Sequence, residues 1–183
     1  MKKLTNICAV TLLCGMTVAP AIAEGFYAAL DVGQTNAKDT CKNGPVSGCN
    51  ENATSLRVAG GYQFIPMLGV EASYATYGKA SLGGAYGDWE TNGVQVSGIG
   101  TFLVAGGFSV LGKVGIARIE HKATATSASS TRTNLAYGIG AQFDFSPNIA
   151  FRTQYELLGT IGDTNTTGQA KASLLSAGVL YRF

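Results

Sequence analysis

The chain has 183 residues, of which 46% are hydrophobic and 13% charged, with 25 glycines and a formal net charge of +2. So slight a charge gives no footing for nucleic-acid binding, which relies on a dense basic surface. Beyond Ala23 no apolar stretch approaches the ~20 residues of a spanning helix, which leaves a β-sandwich or a membrane β-barrel.

Residues 1–23 read as a cleaved secretory signal peptide. Lys2 and Lys3 precede an apolar run from Ile7 to about Val18, and Ala21-Ile22-Ala23 forms a small-x-small cleavage site before Glu24. Cys14 follows the bulky Leu13, where a lipoprotein signal has a small residue, so Cys8 and Cys14 are expected to leave with the signal. Without the two signal lysines, 11 basic residues face 11 acidic ones in a mature chain of 160 residues.

Alternating runs follow near 25–36, 54–64, 68–79, 92–103, 108–121, 132–145, 149–160 and 171–183. Such alternation, broken by turn residues, marks strands. Short connections at Ile65-Pro66-Met67, Val104 to Gly107 and Ser146-Pro147-Asn148 alternate with long ones at 37–53, 80–91, 122–131 and 161–170. An even number of long antiparallel strands, with short turns at one end and loops at the other, predicts an all-β, eight-stranded, up-and-down transmembrane β-barrel over 24–183. Soluble sandwiches have shorter strands, about 5–6 residues.

Successive side chains point to opposite faces, which assigns inside and outside. Phe26, Ala28, Leu30, Val32, Leu56, Val58, Tyr62, Phe64, Leu135, Tyr137, Ile139 and Phe143 fall on the lipid side. Asp31, Arg57, Glu71, Gln142, Asp144, Gln154 and Glu156 fall inside. A soluble sandwich shows the reverse. All eight phenylalanines lie near a short turn or a chain end, which predicts an aromatic girdle at the periplasmic interface. Trp89 is expected in a long loop at the other end.

The stretches Gly60-Gly61-Tyr62-Gln63-Phe64, Gly69-Val70-Glu71, Ile149-Ala150-Phe151-Arg152, Ile161-Gly162-Asp163 and Leu175 to Phe183 (LSAGVLYRF) resemble the OmpA-type eight-stranded barrel. The resemblance covers nearly the whole mature chain and implies a location in the Gram-negative outer membrane. OmpA proper continues into a periplasmic peptidoglycan-binding domain, which is not expected here. The closing strand, with Tyr181 and Phe183, resembles the C-terminal signal read by the outer-membrane assembly machinery. Further partners expected from the class are outer-membrane lipids, lipopolysaccharide and periplasmic chaperones. The barrel is expected to be a monomer.

Inside, Arg57, Lys113, Arg152 and Arg182 balance Asp31, Glu71, Asp144 and Glu156. An eight-stranded barrel is just wide enough for side chains to fill, so these charges must pair. The resemblance implies a mid-barrel ion pair that obstructs the lumen, matched here by Glu71 and Arg152. The family's alternative partners, a lysine and a second glutamate, are at Ile99 and Gln142 in this chain. A gate that opens by exchanging partners would then lack its second state, so a plugged barrel is expected. The ion-pair candidates are Glu71, Arg152, Arg57, Lys113, Asp31 and Glu156.

His121, beside Glu120 and followed by Ser127, Ser129 and Ser130, could form a nucleophile set only with supporting geometry. The His-x-Ser-Asn signature of lipid A deacylases is absent, and the chain is expected to be non-enzymatic, with no cofactor or metal. Cys41 and Cys49 are the mature chain's cysteines, with seven residues between them inside the first loop, and an oxidising compartment makes a disulfide the default. It would stabilise the loop by roughly 2–3 kcal/mol. Two functions remain. One is a structural envelope protein whose loops meet a host or cell-surface ligand; the other is a narrow, low-conductance pore for small solutes. Bulky inward Tyr77, Leu158, Leu174 and Leu180 favour the first.

Overall fold

A computed structural model describes residues 25–38, 52–81, 88–123, 129–163 and 168–183. They form eight strands: β1 (Phe26–Lys38), β2 (Asn52–Ile65), β3 (Leu68–Ser81), β4 (Asp88–Ala105), β5 (Phe108–Ala123), β6 (Ser129–Asp144), β7 (Ile149–Asp163) and β8 (Gly168–Arg182). Each pairs antiparallel with the next, and β8 returns to β1, so the sheet is a closed barrel. Closure leaves no unpaired edge, which is what a strand needs where no water can satisfy its backbone.

The strands reach further outward than the alternation indicates. Trp89, expected in a loop, lies in β4 opposite Ala80 and Ala123, and Ser129 and Ser130 belong to β6. Near the outer rim both faces are polar, so the sequence pattern fades while the hydrogen-bond ladder continues. The expected signal at 1–23, together with Cys41, Cys49 and Ser127, lies outside the described residues.

Facing follows the predicted parity. All eight phenylalanines are exposed, from 40% at Phe143 to 68% at Phe145. They gather at the short-turn end, with Phe26–Tyr62 ring centroids 4.7 Å apart and Tyr181–Phe183 5.2 Å. The turn between β4 and β5 has Gly106 and Gly107 at φ +55° and +80°. Two-residue hairpins demand this left-handed pair to match strand twist, and a side chain would strain it. At the same rim the Phe183 N–H donates to the Phe26 carbonyl at 3.1 Å, tying the seam between β8 and β1.

Two bulges shape the other half. Tyr77 and Gly78 together oppose Thr91, and Leu158 and Gly159 oppose Ala172; both glycines have positive φ. A bulge of this kind re-aims the neighbouring side chain. Here Tyr77 and Leu158, on strands four apart around the ring, enter one buried apolar cluster with Ile119 and Leu174.

Candidate functional site

The interior is layered along the barrel axis. At the periplasmic end is a cavity of about 440 Å³, lined in part by Gln63, Thr101, Ser109, Gln142, Asp144 and Arg182. At mid-barrel stands a network of charges. Beyond it, toward the outer rim, lies the buried apolar cluster around Tyr77, Ile119, Leu158 and Leu174.

The network contains all six ion-pair candidates, each at most 4% exposed. Arg57 donates through Nε to Asp31 Oδ2 at 2.9 Å and through Nη1 to Glu156. Lys113 Nζ bridges Glu71 Oε1 at 2.8 Å and Glu156 Oε2 at 3.3 Å. Arg152 Nη1 holds Glu71 Oε2 at 2.8 Å. Three cations therefore alternate with three carboxylates: Asp31, Arg57, Glu156, Lys113, Glu71, Arg152. An unpaired charge at this depth would cost several kcal/mol, of order 3–5 when one partner of a buried pair is removed. Neutral groups take up remaining valences. Tyr27 donates its hydroxyl to Glu71 Oε2 at 3.0 Å, and Arg152 sits 5.3 Å from the Tyr27 ring centroid. Gln95 Nε2 donates to Glu156 Oε2 at 3.0 Å.

The direct cross-strand partner of Ile99 is Lys113, so an ammonium reaches this layer from the neighbouring strand. Lys113 touches both Glu71 and Glu156, so a second cation and a second carboxylate stand beside the Glu71–Arg152 pair. Glu71 is held by Lys113 and Arg152 at once, one oxygen each.

Gln142 links this network to the periplasmic rim. Its Oε1 accepts from Arg152 Nε and Nη2 at 3.2 and 3.1 Å, and its Nε2 donates to Asp144 Oδ1 at 3.0 Å. Asp144 Oδ1 also accepts from Arg182 Nη2 at 2.8 Å. An amide can accept on one side and donate on the other, whereas a carboxylate could only accept. All eight interior charges thus belong to one connected web.

Space for these side chains comes from inward glycines. A Cβ on Gly178 would overlap Asp31 Oδ1 and the Leu30 carbonyl, and one on Gly138 would lie 2.8 Å from Glu156 Cγ. Small barrels alternate small and large interior residues in this way. The glycine count was visible in the sequence; its purpose depended on register.

Of the residues considered for catalysis, His121 lies in β5 with Ser130 directly opposite on β6. Among the described residues no group of three or more His, Cys, Asp or Glu could hold a metal ion.

A closed ring of eight antiparallel strands, lipid-compatible outside and charged inside, defines a small outer-membrane β-barrel. A family model for the OmpA-like transmembrane domain matches residues 21–183. The chain belongs to that family, and its place is the outer membrane of a Gram-negative cell. It is 30% identical to outer membrane protein A of Salmonella typhi over 198 aligned residues, covering all of this chain and 56% of that protein. The chain thus spans little more than half the length of the relatives it matches. Among solved structures, Neisserial surface protein A superposes with a TM-score of 0.62 at 20% identity, covering 86% of this chain and 97% of that one. Ail, the attachment invasion locus protein of Yersinia pestis, gives 0.58 at 22%, covering 87% and 99%. At these identities the likeness is one of fold.

Proposed function

We propose that this barrel is a non-enzymatic, plugged outer-membrane protein that supports envelope integrity and presents loops for adhesion or interaction. The observation that supports the reading is the filling of the interior, with the paired charges at mid-barrel and the apolar cluster outside them. The name of Ail speaks of attachment and invasion for that protein. For this chain the same role is a hypothesis about its loops. In this reading 1–23 directs export and is cleaved, and Cys41 and Cys49 form a disulfide. Periplasmic chaperones deliver a monomer whose β8, through Tyr181 and Phe183, is recognised by the assembly machinery.

Planar-bilayer recording of refolded protein tests the plug: sustained, well-defined openings would refute it. Deletion of the gene should increase envelope leakiness, and purified barrel should bind host-cell surfaces in a manner abolished by loop exchange. Unchanged leakiness and binding would leave the reading without support.

A second reading, a narrow pore for small solutes, is favoured by one observation. Asp31 Oδ1, Arg57 Nη2, both polar atoms of Gln154 and Ser176 Oγ are buried without a protein partner. They lie close together along β1, β2, β7 and β8, and such polar space suits water. The recording that tests the plug separates the two readings.

A further inference from the structure

Mid-span charges face inward, but Arg118 of β5 stands on the outer face, and its side chain is exposed. It lies ten residues above Phe108 of the aromatic girdle. At about 3.3 Å per residue and a strand tilt of about 40°, that is roughly 25 Å of height, the thickness of the apolar band. Arg118 therefore meets the outer boundary of the hydrocarbon, where the head groups of the outer leaflet begin.

The surface there is concave. An open groove of about 300 Å³ is lined by Tyr74, Asn92, Val94, Arg118, Glu120 and Thr131. Register sets Tyr74, Val94 and Arg118 side by side on β3, β4 and β5, so Val94 forms a floor between an exposed aromatic ring and a guanidinium. Among the described residues Arg118 makes no hydrogen bond or ion pair. Glu120, two residues further out, already has an interaction of its own.

We propose that this groove docks the phosphorylated sugar head group of an outer-leaflet glycolipid, lipid A. Arg118 binds a phosphate, and Tyr74 packs against the sugar face. A guanidinium forms short, paired hydrogen bonds with phosphate. The volume is at the lower end for small-ligand sites, about 300–1,000 Å³. The inference rests on the outer-membrane location, and a folded barrel that binds no lipid A would overturn the site without touching that location.

Native mass spectrometry of the detergent-refolded full chain would test it, using bisphosphorylated lipid A, dephosphorylated lipid A and phosphatidylglycerol as probes. Gel mobility with and without heating confirms that each variant is folded. Bisphosphorylated lipid A should bind best, and Arg118→Gln should weaken it roughly tenfold, the loss of one charge-assisted contact. Lys171→Gln, which removes an exposed cation on β8 away from the groove, should leave binding within about twofold. Tyr74→Ala should weaken binding while phosphate discrimination survives. The proposal is overturned if Arg118→Gln binds like the parent or Lys171→Gln falls as far. It is also overturned if phosphatidylglycerol or dephosphorylated lipid A binds as well as the bisphosphorylated form.

Discussion

Lys113 of β5 stands directly across the ladder from Ile99 of β4, and its ammonium bridges Glu71 and Glu156. The charge that residue 99 lacks is thus delivered from one strand away, a displacement of about 4.8 Å. Cross-strand neighbours on one face of a sheet occupy nearly the same volume, so either can supply a group to it.

Replacing Lys113 with Met should destabilise the barrel by about 3–5 kcal/mol, because two carboxylates each lose a partner at depth. The double exchange Ile99→Lys with Lys113→Ile should recover at least half of that loss. Urea unfolding in lipid vesicles reads both; a double variant no more stable than Lys113→Met would refute the equivalence.

Gly178→Ala should cost about 1–3 kcal/mol, since its new methyl group overlaps Asp31 Oδ1 and the Leu30 carbonyl. Gly112 has open space where a Cβ would go, so Gly112→Ala should stay within about 0.5 kcal/mol of the parent. Similar unfolding midpoints for the two variants would show that interior room is not what these glycines supply.

Tyr77→Ala with Leu158→Ala removes the two side chains aimed inward by the bulges. Stability should fall by about 2–5 kcal/mol per truncation. Bilayer recordings should nevertheless stay closed, because the charge network below is a separate obstruction. Sustained conductance in this double variant would mean that the apolar cluster alone seals the lumen.

Deleting Phe183 removes the N–H bond to Phe26 and the ring contact with Tyr181. Surface yield should drop more than on shortening the loop tip at 124–128, as measured by protease-accessible barrel on intact cells. Equal yields would argue against a special role for this residue.

The architecture was legible because lipid imposes one rule on each strand within the apolar band: apolar out, charge in. Asp31, Arg57, Glu71, Lys113, Arg152 and Glu156 could all be placed inside from parity alone. Which cation meets which acid was not legible, since that depends on the stagger between strands, which no single run encodes. For the same reason, reading Ile99 and Gln142 one position at a time did not bring Lys113 to the Glu71–Arg152 pair, because the interior is composed across strands. The outer ends of β4 and β6 were missed because Trp89, Ser129 and Ser130 sit where polarity no longer alternates.

The seam between β1 and β8 joins residues from opposite ends of the described chain, from Tyr27 with Arg182 to Lys38 with Lys171. Every other strand pair is a hairpin between sequence neighbours. The seam alone must await the last strand, and its search spans the whole polypeptide, the slowest kind of contact to form. Until then the sheet has two bare edges, each able to pair with another chain. Assembly is therefore a race between one intramolecular closure and many intermolecular ones, and its outcome should depend on how many unfinished chains share the compartment.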